Sequence, residues 1–333
     1  MVFGALYVRG TFIDAEGDGI LTPDEPVRLV CAAELRPVCE AVRSDAVTVR
    51  SEEAGQTAAA LTAPDTTNGD LWLTLAPWPT IVTEARQRAT LEPLADPDVQ
   101  PLVLGRSPLV LVVAQERAAV LARHCRDTDF SWGCIGRVAA GTWQDAGGQR
   151  AWGRIKPAHA DPTTNATGLL VLGQAVSDFL GRAQFSTRDL DDDELLTWLT
   201  NLEQAVPRGT GLANSPLEQK LQFGPARFDV VGTTEAEAGP LLERSADRAQ
   251  GLIMRPAKPL VVAEVVLAPL RPGEQERFGD VVEPLKAALA AAGWVVEGEP
   301  LAAGVGATPL PDDAGIPPAG ALDALRTRVE EIR

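Results

Sequence analysis

An α/β fold is predicted for this chain by its length, its apolar content and its alternation of strand and helix patterns. The 333 residues correspond to two domains, at about 150 residues per domain. Hydrophobic residues make up 45% of the chain, which is enough for a sizeable core. Between residues 27 and 89 the pattern runs strand, helix, strand, helix, strand and helix. That order is typical of a parallel sheet covered by helices on both faces.

The first third of the chain holds the clearest elements. Short apolar and β-branched runs alternate with longer runs of helical period, and Pro37 falls near the first turn of a helix, where proline is tolerated. These patterns predict strands at 27–31, 47–50 and 70–75 and helices at 33–42, 55–61 and 80–89.

The remaining two thirds continue the alternation at wider spacing. Residues 132–152 are rich in Gly and Trp and predict a loop with a helical turn, and residues 299–320 predict a surface connector. The acidic run 189–194 suits a helical first turn, where carboxylates complement the helix dipole. We predict strands at 108–113, 227–231 and 260–267 and helices at 116–123, 169–180, 195–206, 236–246, 278–292 and 322–332.

Charge excludes some classes of partner. The formal net charge is −16, and a surface this acidic repels nucleic-acid phosphates and anionic lipid headgroups.

No stretch approaches the 18 apolar residues of a membrane span, and residues 1–12 lack the basic start and apolar run of a signal peptide. We therefore expect no nucleic-acid partner, and either a cytosolic protein or a chain whose export or anchor segment has been removed.

The four cysteines bear on the compartment. They form two close pairs, Cys31 with Cys39 and Cys125 with Cys134, and neither pair has the spacing of a zinc knuckle or a redox motif. An even count in close pairs is typical of short local disulfides, which persist in oxidising compartments. Four buried free thiols are the alternative. The pairs favour an extracytoplasmic protein.

An acidic, glycine-containing segment near the N-terminus follows the spacing of a twelve-position calcium loop. Position 3 carries Glu where Asp or Asn is usual, and strand patterns flank the segment where helices are expected. A structural calcium site and a plain acidic turn between strands both stay open. The metal ligands would be Asp14, Glu16, Asp18, the carbonyl of Ile20, and Glu25.

Residues 152–170, with the sequence WGRIKPAHADPTTNATGLL, look like a segment of bacterial extracellular solute-binding proteins of class II, of the type found beside von Willebrand factor A domains. Segments 29–37, 53–57, 106–110 and 230–235 resemble, in order, the opening strand and ligand-loop helix, the Gly-centred turn, the crossover and the return strand of that family. The resemblance covers roughly residues 27–270.

The resemblance implies a two-lobed, type II periplasmic-binding-protein-like fold, each lobe a mostly parallel sheet flanked by helices. It implies an N-terminal segment at 1–26, a first lobe of 27–105 plus 229–333, and a second lobe of 106–228. Ligands of open α/β sheets bind where strands end and helices begin. The expected ligand-binding residues are therefore Ala33, Glu34, Glu53, Gly55, Gln56, Trp78, Thr163, Thr164, Asn165, Thr167, Thr233 and Thr234.

The chain departs from the anion-binding members of this group. Those members are similar in placing Ser at the first two ligand loops, where this chain has Ala33-Glu34 and Glu53-Ala54. Two carboxylates disfavour a bare anion and leave cationic, zwitterionic and polyol ligands open. The 163–167 loop opens a helix, so its free N–H groups suit an oxyanion or a ligand carboxylate, and simple helix capping by Thr163 or Thr164 is the alternative.

Enzymatic motifs are not evident in the sequence: there is no nucleophile elbow, P-loop or zinc-protease motif, and we expect no catalysis. We expect an extracytoplasmic protein, anchored to the membrane by a segment outside this chain, that captures a small polar ligand between two lobes. An ABC-type transporter or an envelope protein would be its partner. The alternative is an envelope interaction or sensor module with a degenerate cleft. Apart from calcium, we expect no cofactor.

Overall fold

The computed structural model describes residues 25–64, 69–125, 131–207, 215–306 and 308–333. Eight strands form one curled sheet: β1 Val27–Ala32, β2 Val47–Glu52, β3 Leu71–Leu75, β4 Leu102–Ala114, β5 Pro157–Ala158, β6 Val230–Thr234, β7 Leu252–Pro256 and β8 Val262–Pro269. The helices are α1 Arg36–Val42, α2 Ala54–Leu61, α3 Trp78–Arg88, α4 Gln115–Cys125, α5 Trp132–Ala139, α6 Ala166–Leu180, α7 Asp193–Ala205, α8 Pro216–Phe223, α9 Glu235–Arg244, α10 Ala246–Ala249, α11 Phe278–Ala291 and α12 Ala319–Ile332.

Strand β4 is longer than the sequence predicts, and it changes partners halfway along. Residues 102–108 pair with β8, and residues 109–114 pair with β6 and β7. We call the strands β2, β1, β3, β8 and 102–108 the first sheet, and 109–114, β6, β5 and β7 the second sheet. The apolar period of residues 108–113 predicts only the second part, because β4 begins at the half-exposed Leu102 and Val103.

Strand direction is mixed. The pairings β1–β2, β1–β3 and β5–β6 are parallel, whereas β8 runs antiparallel to β3 and β4, and β4 runs antiparallel to β6 and β7. The α/β class is confirmed, but the expectation of mostly parallel sheets holds only for β2, β1 and β3 and for the β5–β6 pair. The pairings that involve β4 and β8 are antiparallel, because β4 leads from the first sheet into the second and β8 follows the return, so that both lie next to strands of opposite direction.

The expected lobe boundary at residue 229 stays a prediction, but the strand pairing favours a later one. Residues 230–234 lie beside 109–113 in the second sheet. The chain returns to the first sheet between β7 and β8, through residues 257–261. The sequence pattern did not reveal β7, because residues 252–256 are only half-buried or exposed and lack a clear alternation.

The hydrophobic core lies between the two sheets and the helices that cover them. Every residue of β3 and β6 is buried, and α6 is buried from Ala166 to Ser177 because helices and strands cover it on several sides. The last helix, α12, packs on α3 and also on α6 and α7. Two ion pairs hold it at its sides, Arg88–Asp323 at 2.9 Å and Arg328–Asp191 at 3.2 Å. Helix α12 thus joins elements that flank different sheets.

Both expected disulfides are present. Cys31 of β1 bonds Cys39 of α1 with a Cα–Cα distance of 6.5 Å, and Cys125 of α4 bonds Cys134 of α5 with a distance of 5.9 Å. Each bond links an element to the next described α-helix in the chain.

Candidate functional site

The starts of three helices meet at one place, which we call the cleft. The 3-10 turn Ala33–Leu35 follows β1, α2 follows β2, and α6 follows β5, so two of these junctions belong to the first sheet and one to the second. Carboxyl ends of strands followed by helix N-termini are where ligands bind in open α/β sheets. Expected residues from both sheets therefore lie together.

Glu34 makes the central contact across the cleft. Its Oε1 accepts hydrogen bonds from the backbone N–H of Ala166 at 2.8 Å and of Thr167 at 3.3 Å. These are N–H groups of the first turn of α6, which have no partner inside the helix. A carboxylate is favourable there because the helix dipole is positive at that end. The carboxylate of one sheet's loop thus occupies the N-terminus of a helix on the other.

A second contact joins the backbones directly. The N–H of Gly55 in α2 donates to the carbonyl oxygen of Thr164 at 2.8 Å. A Cβ atom at residue 55 would lie 2.4 Å from the carbonyl oxygen of Thr163, which is far inside van der Waals contact. Glycine is required for this approach, and its place in the expected Gly-centred turn now has a physical reason.

The loop before α6 is built on Asp161. The Asp161 Oδ1 accepts from the N–H of Thr163 at 2.9 Å and from its hydroxyl at 2.8 Å. The helix cap is Asn165, whose side-chain oxygen accepts from the N–H of Gly168 at 2.9 Å. The idea that Thr163 or Thr164 caps the helix is therefore wrong, because Asn165 sits closer to the first helical turn. Asp161 was missed, although Asp-Pro-Thr-Thr is a pattern that forms such turns.

The cleft is acidic. Burial, helped by the nearby charge of Glu53, raises the pKa of Glu34 to about 7 in spite of the hydrogen bonds from the two N–H donors, which lower it. Burial also raises the pKa of Glu53, which Arg36 lowers and Asp161 raises. The Glu34 Oε2 is buried and has no hydrogen-bond partner among the described residues. A cationic or hydroxyl donor would satisfy that oxygen, whereas a free anion would meet three carboxylates.

The remaining expected residues differ in their surroundings. Thr233 and Thr234 end β6 and are buried; the Thr233 hydroxyl bonds the Glu237 carboxylate, and Thr234 caps α9 by accepting from the Glu237 N–H at 3.2 Å. Trp78 is 1% exposed and belongs to the core. Ala33 is half-buried and Gln56 is exposed at the start of α2. Of this group, Ala33 and Gln56 lie beside Glu34 and Gly55 in the chain.

The expected calcium loop lies mostly outside the described residues. Asp14, Glu16, Asp18 and Ile20 are not described, and only Glu25 is, an exposed residue whose backbone oxygen accepts from Arg277. The described ranges contain no group of three or more His, Cys, Asp and Glu side chains arranged to hold a metal. Within the same ranges, no helix has the length and hydropathy to cross a membrane.

Comparison of the structure with solved structures finds two-lobed binding proteins. Iron-bound HitA from Pseudomonas aeruginosa aligns with a TM-score of 0.55 at 17% identity, covering 92% of this chain and 99% of that chain. A ferric binding protein from Campylobacter jejuni gives 0.55 at 8% identity, covering 92% and 96%. A Trichodesmium protein in complex with iron and citrate gives 0.54 at 9% identity, covering 92% and 98%.

Sequence comparison adds nothing to these alignments, since no protein-family model and no curated protein matches the chain. At such low identity the structural likeness shows the fold alone. The curled mixed sheet, the change of partners along β4 and the alignment over nine-tenths of the chain agree with one another. The chain has the two-lobed fold of type II periplasmic binding proteins.

Proposed function

We propose that this protein is an extracytoplasmic solute-binding protein, which captures a small polar ligand in the cleft and passes it to an ABC-type membrane transporter. The observation that carries the proposal is the contact between Glu34 and the N-terminus of α6. Residues far apart in the chain meet there at helix starts, as a ligand-binding cleft requires. Among the structural neighbours, HitA is iron-bound, and a protein from Clostridium perfringens is an ABC transporter.

The charge of the cleft supports a ligand with a cationic or hydroxyl donor. Glu34 already fills the anion position of α6, and its second oxygen lacks a partner among the described residues. A ligand amine would form charge-assisted bonds with Glu34 and Glu53, which are stronger than neutral ones. The ligand-binding role extends to the expected neighbours Ala33, Gly55, Gln56, Thr163, Thr164, Asn165 and Thr167.

The two disulfides support an extracytoplasmic location, because such bonds persist in oxidising compartments. The proposal also includes a membrane anchor outside this chain and an origin in the group found beside von Willebrand factor A domains. The third part of the proposal is a structural calcium ion in the N-terminal segment. None of these three parts is needed for ligand capture.

A second function, an envelope interaction or sensor module, is favoured by one specific observation. The hydrogen bond from Gly55 to Thr164 closes the cleft with protein groups alone. A cleft that closes on itself needs no ligand to hold its lobes together. A solute-binding protein could make the same contact before a ligand displaces Glu34. The contact alone therefore does not separate the solute-binding function from the interaction module, and the ligand experiment does.

A thermal-shift panel tests the proposal. It contains amino acids, polyamines, sugars, ferric citrate, phosphate, sulfate and molybdate, with the protein, its Glu34→Gln variant and the control Glu299→Gln, an exposed residue. A ligand at about 100 times its dissociation constant adds about 2.7 kcal/mol to stability. We expect a shift from an amine or polyol and none from the three oxyanions.

The variants decide whether that shift arises in the cleft. Glu34→Gln should weaken binding about tenfold or more, as expected when one charged hydrogen bond of about 1.5–3 kcal/mol is lost. Glu299→Gln should bind like the parent protein. A shift from oxyanions alone, or equal shifts in both variants, would contradict the proposed site. No shift from any compound would favour the interaction module.

A further inference from the structure

Both ring nitrogens of His159 face hydrogen-bond acceptors, just before the loop that faces the cleft. Its Nδ1 lies 2.7 Å from the carbonyl oxygen of Ala160, and its Nε2 lies 2.9 Å from Oε1 of Glu203 in α7. A neutral imidazole has one N–H and one lone pair, so one ring nitrogen would face an oxygen with no proton between them. Only the doubly protonated imidazolium donates to both oxygens.

Glu203 is held in its charged form by a second cation. The Arg333 guanidinium donates to Glu203 Oε2 from Nε and from Nη2, both at 2.9 Å. Glu203 and the His159 side chain are 0% and 1% exposed, so both charges are shielded from water. Such a buried pair survives only when each charge is matched and hydrogen-bonded. A proton on Glu203 would forfeit the pairing with Arg333.

The same arginine reaches the loop that faces the cleft. Arg333 Nη1 lies 2.6 Å from Oδ1 of Asp161, the oxygen that also orders Thr163. The Asp161 carbonyl accepts from the N–H of Asn165 at 2.8 Å, and Asn165 caps α6. His159, Glu203, Arg333 and Asp161 therefore form one chain of alternating charges.

The carbonyl group of Ala160 lies between the His159 ring and the first turn of α6. Its oxygen accepts from His159, and a Cβ atom at Gly168 in the first turn of α6 would lie 2.4 Å from the same oxygen. The Ala160 carbonyl thus packs closely against the backbone of the first turn of α6. That turn carries the N–H groups of Ala166 and Thr167, which bind Glu34.

We propose that His159 is a positioning residue for the cleft: its imidazolium, locked by Glu203 and Arg333, holds the loop and the N-terminus of α6 in the geometry that Glu34 contacts. Loss of the ring proton sets a bare nitrogen against an oxygen and releases the loop. The use of this device in ligand capture rests on the proposed function, but its existence does not.

Charged and polar groups from several elements face the ring. They are the Glu203 carboxylate from α7, the Arg333 guanidinium at the end of α12, the Ala160 carbonyl and the edge of the Trp132 ring from α5, at 6.5 Å. Glu203 raises the pKa of His159 above its usual value, while burial and Arg333 lower it, and the net shift is upward. The cleft geometry therefore weakens as the pH rises through that raised pKa.

The protonation state can be measured directly because the chain has only two histidines. His124 is exposed on α4, so the His124→Gln variant leaves a single imidazole and serves as the matched control. Nitrogen NMR of histidine-labelled protein should show both His159 ring nitrogens protonated at pH 7. A neutral tautomer at pH 7 would overturn the proposal, and this measurement needs neither a ligand nor a destabilising variant.

Amide hydrogen exchange then tests the positioning role. In Glu34→Gln, the amide oxygen still accepts from α6 but no longer titrates. We expect the protection of the Ala166 and Thr167 amides to fall about tenfold as His159 loses its proton, after correction for intrinsic exchange. The double variant with His159→Gln should show no such step. Protection that stays constant while His159 titrates would overturn the positioning role, even if a ligand is found.

Discussion

Two helix N-termini of this molecule follow strands of the second sheet, yet their free N–H groups are bound by different kinds of partner. The start of α6 receives a carboxylate from across the cleft, Glu34, in addition to its own cap Asn165. The start of α9 receives two hydroxyls: its own cap Thr234, and Ser107 of the adjacent strand β4, which accepts from the N–H of Ala236 at 2.9 Å. Both junctions have the sequence pattern of a ligand loop.

The difference favours the start of α6 over the start of α9 as the place where a ligand would bind. The partner of α6, Glu34, comes from the first sheet, and the proposed function requires it to separate from α6 when the lobes open. The partners of α9 are buried in the strands beside it, and Ser107 is only 1% exposed. A ligand can compete with the first partner, but it cannot reach the second without breaking the sheet. We therefore assign Thr233 and Thr234 to the support of the fold.

The largest effect is expected from the ionic network behind α6. Glu203→Ala leaves His159 and Arg333 without their shared counter-charge in the core. Removal of one partner from a buried pair costs about 3–5 kcal/mol, so the free energy of unfolding should fall by that amount in urea denaturation. The control Glu194→Ala removes an exposed carboxylate from the first turn of the same helix and should lower stability by no more than about 1 kcal/mol, the contribution of a charge that complements the helix dipole. Equal losses in both variants would contradict the network.

A medium effect is expected at α9. Thr234→Val keeps the shape of the side chain but removes the hydroxyl that caps the helix. Loss of such a cap costs about 1 kcal/mol. Thr234→Ser should restore most of it, because the hydroxyl returns. Ligand affinity should stay unchanged in both variants, and a change in affinity without a change in stability would return Thr234 to the binding site.

These two junctions also show how far the sequence carried the prediction. The helical period placed α9 within one residue of its start, whereas the helix predicted at 169–180 begins three residues earlier, at Ala166. The inference from Glu34 and Glu53 about the ligand's charge stays a prediction. Local pattern cannot say which partner reaches a given N–H group. Glu203 and Arg333 are separated from Asp161 in the chain by 42 and 172 residues, and no spacing signals such contacts. The return strand at 230–234 was placed by resemblance, whereas its pairing depends on the whole path of β4.

A smaller effect, set by pH, is expected from Glu34 itself. Its pKa is about 7 in the folded protein against 4.5 ordinarily, so the folded state binds its proton more tightly than the unfolded state. That contribution to stability is complete below pH 4.5 and is lost as the pH rises through 7. Glu34→Gln should lack this loss. Because opening of the cleft returns the carboxylate to water, we expect a difference near 1 kcal/mol at pH 8, about the worth of one hydrogen bond.

The contribution of His159 must be separated from that of Glu34 in the pH experiment. The pKa of His159 is also raised, so the free energy of unfolding falls for the same reason as the pH rises through it. Unfolding free energies of the parent protein and of Glu34→Gln at pH 4, 6 and 8 supply the comparison, and His159 contributes equally to both. The curves should meet at pH 4 and separate by pH 8. Parallel curves would show that Glu34 is already exposed to water, and therefore that it does not occupy the start of α6.

The smallest effect on stability, and the sharpest test of the cleft, is expected from Gly55→Ala. The new methyl group would meet the Thr163 carbonyl 2.4 Å away, across the cleft. Separation of the lobes relieves this clash without unfolding either sheet, so the free energy of unfolding should change by less than about 0.5 kcal/mol. Solution scattering should instead report a larger radius of gyration, and the Ala166 amide should exchange faster. Gln56→Ala, at the exposed neighbouring position, should leave both unchanged. If Gly55→Ala lowers stability by several kcal/mol while the radius stays constant, the contact between α2 and the Thr163–Thr164 loop is a permanent part of the core, and the start of α6 would be as inaccessible to a ligand as the start of α9.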